Sequence, residues 1–316
     1  MIEMNNRRKR DDGIGRLFFL LRNKYGLRVK SIKMVKQNVW VVTAYEGCWV
    51  AKRYRTFLEA MRQAVFMQSL RQAGFAHVPA VYTTIGQNGV FFVKDAFWIM
   101  QTYISDAERL SFARRQDIAD GLELLQTYHF ITAMLAKIPA FPTIIPHYCL
   151  YSKWQRRYNE FYSHLSLLER IMDKEDIAWT IQHAEYCLST FASYAPPLAA
   201  EPVAIIHGDV ASHNFLRTKA GMIYLIDYDT VAVASPGIDY LQYASRILPY
   251  LQWSLAKLYQ FSRFLCWLAK PWFLHALLFP ADIMREWRFA LQRNKRLFIA
   301  RKERNQFVRK IIDMIK

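Results

Sequence analysis

Between His207 and Asp229 the chain gathers residue types suited to moving a phosphoryl group. The stretch reads Ala204-Ile-Ile-His-Gly-Asp-Val-Ala-Ser-His-Asn-Phe-Leu-Arg217, then Met222-Ile-Tyr-Leu-Ile-Asp-Tyr-Asp229. Phosphoryl transfer needs a carboxylate that orients an attacking hydroxyl and receives its proton. It also needs oxygen ligands for magnesium on the nucleotide. Asp209 suits the first role, and Asn214 with Asp227 the second. Asp229 either joins the metal shell or caps the following turn. His207 reads as a brace for the loop rather than a proton carrier, and His213 as an exposed loop residue. The plainer reading makes Asp209, Asn214 and Asp227 turn residues, since both types favour turns.

Those side chains need elements that bring them together. Val203–Ile206 is a short apolar run that ends on His207-Gly208-Asp209. Phe215–Arg217, a turn at Thr218–Gly221 and Met222–Ile226 give a hairpin signal. Its return strand carries Asp227 back beside Asn214, because paired strands lie about 4.8 Å apart.

Upstream, Val39–Ala44 and Cys48–Lys52 are β-branched and aromatic runs around Tyr45-Glu46-Gly47, a second hairpin signal. Residues 56–73 read as a helix, and 81–84, 89–93 and 97–104 as strands. A short amphipathic helix is expected over 12–26. Beyond Ile104 the texture is helical: 113–137, 151–172 and 176–194, then Pro196-Pro197 and Pro202 as punctuation, and helix again from 238 onward. The expected organisation is a basic helical extension over 1–28, a β-rich lobe over 29–103 and a helical lobe over 104–316. Such an α+β, two-lobed chain leaves a cleft between its lobes.

Composition narrows the function class. The 316 residues, 53% hydrophobic and 22% charged, are an ordinary globular balance, but the formal net charge is +17. Residues 1–36 hold 11 Lys/Arg against 3 acids and residues 285–316 again 11 against 3, leaving 21 against 20 between them. The body is nearly neutral, with two basic ends. No helix-turn-helix, RRM, KH or zinc-finger pattern accompanies that charge, so nucleic acid is a weak expectation. Cys48, Cys149, Cys187 and Cys266 lie far apart without a CxxC pair, which fits reduced thiols in a cytoplasmic protein. The run Leu17–Leu21 is too short for a signal peptide. Phe264–Met284 is interrupted by Lys270, Pro271, His275, Pro280 and Asp282, so no transmembrane segment is expected.

HGDxxxxN at 207–214 and IDxD at 226–229 resemble the catalytic and metal-binding segments of the protein-kinase-like superfamily. The HGD form is similar to its small-molecule branch of aminoglycoside phosphotransferases and choline kinases. The tail IDYDTVAVASPGIDYLQYASR looks most like the CotS-type, spore-coat-associated kinase-like proteins. The resemblance covers roughly 30–250. It implies ATP and Mg2+ as cofactors, with Lys52 of Cys48-Trp-Val-Ala-Lys52 on the α/β phosphates. Main-chain groups of Met100, Gln101, Thr102 and Tyr103 would receive adenine. Tyr128-His129 matches an aromatic–His helix pair of the family, and Asp239 opens a helix and braces the catalytic loop.

Two departures stand out. No GxGxxG precedes Lys52, so a phosphate-covering loop near Lys36–Asn38 lacks glycines. The family's helix glutamate is replaced by Gln63, with Glu59 one turn away as a substitute. The resemblance therefore implies a kinase acting on a hydroxyl of a small molecule or cell-envelope component. The alternative is a weakly active or inactive kinase-fold component of the spore coat. The large-lobe aromatics fill a core or line an acceptor pocket. The C-terminal stretch reads as a packed helix with a solvated basic face, or as a contact for an acidic protein or an anionic surface.

Overall fold

A computed structural model of the chain describes residues 14–315. Its contacts divide into two compact units. One holds the described part of Met1–Arg109 together with Asn214–Asp229, the other Leu110–His213 and Thr230–Lys316.

The first unit opens with α1 (14–23), whose Leu17 and Leu21 are wholly buried among Trp40, Val42, Trp49 and Trp98. This part of the expected extension is therefore core, and residues 1–13 lie outside the described region. Five antiparallel strands follow in the order β1-β2-β3-β5-β4: β1 Val29–Lys36, β2 Val39–Ala44, β3 Cys48–Tyr54, β4 Val90–Val93 and β5 Ala96–Thr102. The turn between β1 and β2 places Asn38 at φ 63, the left-handed conformation that a tight turn demands. Asparagine tolerates that region better than most side chains, so this turn does without glycine. Of the strand expected over 81–84, only an isolated bridge from Val81 to Gln101 forms.

Helix α2 (Phe57–Gln72) begins in a capping box. Thr56 Oγ1 accepts from Glu59 N, and Glu59 Oε2 accepts from Thr56 N, both at 3.2 Å. Ala60, Gln63, Ala64, Met67 and Leu70 recur at helical spacing and form its buried face. The unit closes with a three-stranded sheet in which β6 (Ala107–Arg109) pairs with one strand of a hairpin formed much later in the chain. That pairing gathers Asn214–Asp229 into this unit, where the sequence reading had assigned it to the helical lobe.

The second unit is mostly helical: α3 (Arg115–Leu135), α4 (Ala140–Ile144), α5 (Leu150–Tyr162), α6 (Leu165–Leu168) and α7 (Lys174–Ala199). The single helix expected over 151–172 is broken after Tyr162. Ser163 Oγ donates to the Glu160 carbonyl at 3.0 Å, and the His164 ring nitrogen lies 2.7 Å from the same oxygen. Side chains there occupy a carbonyl that the helix would otherwise use. Conversely, α7 runs through Pro196 and Pro197, which the sequence suggested as punctuation. Ala192 and Ser193 are exposed, so carbonyls freed by the missing N–H groups face water near the helix end.

Strand β7 (Ala204–Ile206) then packs against α3. Asn214 ends a short turn, and β8 (Phe215–Thr218) and β9 (Ile223–Leu225) make the hairpin of the first unit. β10 (Ala232–Ala234) returns to pair with β7, and α8 (Gly237–Ile247) follows. After α9 (Leu255–Tyr259), α10 (Leu265–Leu268) and α11 (Pro271–Leu277), the chain ends in α12 (Ile283–Gln292) and α13 (Arg301–Ile315).

The C-terminal basic face is not simply solvated. Arg304 is buried, bonds Asp282 and lies 3.6 Å over the Trp253 ring. Arg301 bridges Glu175 and Asp176 of α7 at 2.8 and 2.7 Å. Two of the helix's cations are thus used in packing, while Lys302, Arg309 and Lys310 stay exposed. No described helix is long and apolar enough to cross a membrane.

Helices α3 and α8 meet closely at Gly121. A Cβ there would lie 2.3 Å from the Tyr243 hydroxyl, which is buried and donates to the Ile118 carbonyl at 3.0 Å. Alanine normally favours a helix over glycine by about 1 kcal/mol. Overpacking a fixed ring costs about 1–3 kcal/mol. Gly121→Ala is therefore expected to destabilise, lowering the urea midpoint by the equivalent of up to about 2 kcal/mol. A raised midpoint would show that Tyr243 is free to move aside.

Candidate active site

In the first unit the organising feature is an ammonium group without water. Lys52, on β3, is 6% exposed. Its Nζ donates to Asp227 Oδ1 at 2.6 Å and to Asp229 Oδ2 at 3.1 Å. The remaining oxygens also find donors: Lys36 Nζ reaches Asp227 Oδ2 at 2.8 Å, and the Tyr54 hydroxyl reaches Asp229 Oδ1 at 2.9 Å. Burial alone would lower the Lys52 pKa, but the Asp229 and Asp227 charges raise it above the ordinary lysine value. Burial likewise opposes ionisation of Asp227, yet Lys52 and Lys36 hold its carboxyl well below the usual range. Asp229 is pushed the other way, raised by burial and by the neighbouring Asp227 charge despite Lys52.

The hairpin fixes these carboxylates. Ile226 N donates to the Asn214 carbonyl at 2.9 Å, so Asn214 and Asp227 sit at the same end of β8–β9. Asp227 itself takes φ 69. Asn214 is buried at 1% exposure. Gln63 does not bond Lys52; its Nε2 donates to the Tyr228 carbonyl at 2.9 Å and so holds the segment between the two aspartates. Glu59 serves the helix cap. Among the described residues it makes no ion pair with Lys52.

The strand expected to receive adenine is β5. Met100 is wholly buried, and its carbonyl accepts from Tyr82 N at 2.7 Å. Thr102 N donates to Ala80 O at 2.8 Å and Tyr103 N to Cys48 O at 3.1 Å. Gln101 pairs with both Val50 and Val81. The N–H groups of Thr102 and Tyr103 are thus engaged within the unit.

In the second unit the loop His207-Gly208-Asp209 is held from beneath by Asp239, which is fully buried. Its carboxylate accepts from His207 N at 2.7 Å, Gly208 N at 2.9 Å and His129 Nε2 at 2.9 Å. Gly208 is obligatory: at φ 79, a Cβ would lie 2.2 Å from the Thr230 carbonyl. The His207 ring is buried, and its Nδ1 accepts from Asp209 N at 3.3 Å. Arg246 donates to Asp209 Oδ1, whose side chain stays about one-third exposed.

Tyr54 and Arg246 were not singled out from sequence, although both carried a signal, and Lys36 was read only as part of the glycine-free loop. Tyr54 follows Lys52 by two along a strand and shares its face. Arg246 lies two helical turns after Asp239 in α8. The hard oxygen donors Asn214, Asp227 and Asp229 suit magnesium, which usually takes one or two carboxylates and completes its shell with phosphates and water. The ammonium groups already on Asp227 mark a place that favours positive charge. Among the described residues there is no group of three or more His, Cys, Asp or Glu that could hold a metal ion.

The Asp239 carboxyl carries a stability prediction. Burial would raise its pKa, but the His129 hydrogen bond and the Gly208 N–H lower it below the ordinary carboxylate range. Asp239→Ala would strand three buried donors and is expected to cost roughly 3–5 kcal/mol in urea unfolding. A depressed folded pKa means the contribution is complete above about pH 3.9 and fades as pH falls toward the folded value. The gap between wild type and variant should therefore shrink below about pH 4. A gap independent of pH there would contradict the ionised buried carboxylate.

The model of the phosphotransferase enzyme family matches residues 34–269. An aminoglycoside phosphotransferase from Alicyclobacillus acidocaldarius superposes with a TM-score of 0.66 at 18% identity, covering 92% of this chain and 93% of that one. A spectinomycin phosphotransferase solved with AMP gives 0.60 at 13% identity, covering 94% of each chain. A choline kinase from Streptococcus pneumoniae gives 0.52 at 12% identity, covering 95% and 98%. At these identities the structures share the fold: a small antiparallel sheet unit and a helical unit. No curated protein sequence matches significantly. The chain belongs to the phosphotransferase enzyme family.

Proposed function

We propose that this protein is an ATP- and magnesium-dependent phosphotransferase that phosphorylates a hydroxyl of a small molecule or cell-envelope component. The observation that carries the reading is the buried Lys52 ammonium held between Asp227 and Asp229. A purely structural fold has little use for a desolvated lysine with two carboxylates, since burying ions costs several kcal/mol each before pairing. On this reading Lys52 exchanges a carboxylate partner for the α/β phosphates. Asn214 and Asp227, with Asp229 beside them, hold magnesium, which neutralises charge on the phosphates when bound. Lys36 adds a second cation from the glycine-free turn.

Asp209 orients the acceptor hydroxyl and receives its proton, while Asp239 and His207 keep the loop in place. These groups act by positioning and charge rather than through a covalent enzyme intermediate. Nucleotide use is supported by a spectinomycin phosphotransferase of similar fold, solved with AMP and also with ADP and spectinomycin. The segment 226–246 supports a place among CotS-type proteins, and with it a spore-coat setting.

The test is a pair of measurements on wild type and Asp209→Asn. ATP with magnesium should raise the apparent melting temperature of both, because a ligand bound only by the native state stabilises it. ADP release over a panel of hydroxyl acceptors should fall about 10²–10⁴-fold in the variant. Full turnover in the variant would remove Asp209 as base. No thermal shift at millimolar nucleotide would favour a structural component instead.

A further inference from the structure

The second unit contains a narrow cavity whose polar lining is unusual in sign. It is lined by Tyr148, Lys153, Arg157, Gln242, Ser245 and Arg285, with apolar side chains between them and no carboxylate. About 30 Å³ is open, room for roughly two waters or one small anionic group rather than a whole sugar.

Its cations are poorly compensated. Among the described residues, neither Lys153 Nζ nor the Arg157 guanidinium has an ion pair or side-chain hydrogen bond; Lys153 lies 4.7 Å over the Tyr148 ring. Among the described residues Arg285 bonds only the adjacent Glu286, at 2.9 Å, and Gln242 Nε2, a buried amide donor, has no hydrogen-bond partner. Lys153 and Arg157 stand four apart on α5, where like charges weaken a helix by a few tenths of a kcal/mol.

The cavity also belongs with the candidate base. Gln242 and Ser245 share α8 with Arg246, which bonds Asp209 and whose own buried Nε is unpartnered. Asp209 is among the charges that Lys153 and Arg157 feel. Burial and the Arg157 charge press Lys153 down to about 8, and burial with Arg285 presses Arg246 down to about 10. Cations crowded and desolvated in this way are relieved by an anion and burdened by another cation.

We infer that this cavity binds an anionic group, a carboxylate or a phosphate, carried by the hydroxyl acceptor that Asp209 activates. The inference rests on the proposed role of Asp209 for its link to turnover, but not for the binding itself. It sets this chain apart in substrate class from an enzyme for choline or an aminoglycoside, whose positive charge would meet Lys153, Arg157 and Arg285.

Binding can be tested without catalysis. The full chain is titrated calorimetrically, at constant ionic strength in chloride, with D-gluconate, glycerol 3-phosphate, glucose, glycerol and choline. The two anions should bind, and the two neutral polyols and choline at least tenfold more weakly. A preference for gluconate or for glycerol 3-phosphate separates a carboxylate from a phosphate ligand. Arg157→Gln and Lys153→Met should each weaken anion binding about tenfold, while the melting temperature of the unliganded protein confirms folding. If one variant fails to fold, the other decides. Equal binding of choline and the anions, no anion binding, or anion binding unchanged in the folded variants would each overturn the inference. None of these outcomes depends on ATP, so a failed kinase reading and a failed anion site give different results.

Discussion

Lys52 is the constraint around which the first unit is built. An ammonium ion at 6% exposure needs negative charge within bonding distance, and the strand that carries it offers none. Asp227 and Asp229 arrive from a segment about 175 residues later in the chain. Delivering them requires the β8–β9 hairpin, the pairing of β8 with β6, and a left-handed residue at Asp227. It also requires the intervening Tyr228 to be pinned. Gln63 does this through the Tyr228 carbonyl, and Phe66 meets the Tyr228 ring edge-on at 5.9 Å.

That arrangement gives a physical reason for the glutamine. A carbonyl needs a donor, and an ionised glutamate has none to offer. With two carboxylates already on Lys52, a third buried charge would add desolvation cost. The departure from the family pattern at Gln63 is therefore compatible with a well-anchored lysine. The second unit follows the same logic with the sign reversed. There the buried charge is Asp239, satisfied by His129 and by the main chain of the loop that carries Asp209.

The sequence reading went furthest where a local rule operates. The β2–β3 hairpin, helix α2 and the β8–β9 turn are set by residues close in the chain, and their boundaries were readable to within a few residues. Asn214 and Asp227 could be brought together because strand pairing fixes their spacing. Partner choice was not readable. Nothing near Lys36 in sequence announces Asp227, and the pairing of Arg246 with Asp209 depends on where α8 comes to lie. Pro196-Pro197 misled because helix breaking depends on whether the freed carbonyls reach water. The packed C-terminal helix was readable, but not that Arg304 would turn inward to Asp282 and the Trp253 ring. The +17 charge is thus partly structural, and its most informative members are three cations around a cavity in the nominally neutral body and at its edge.

The central claim is that the carboxylates around Lys52 form a site for magnesium nucleotide. Isothermal titration of the full chain with ATP, with and without magnesium, tests it most directly when repeated on Asp227→Asn. The account predicts that magnesium tightens ATP binding in the wild type and that this gain is lost in the variant. ATP binding that is absent in the wild type, or a magnesium dependence that survives the substitution, would contradict it.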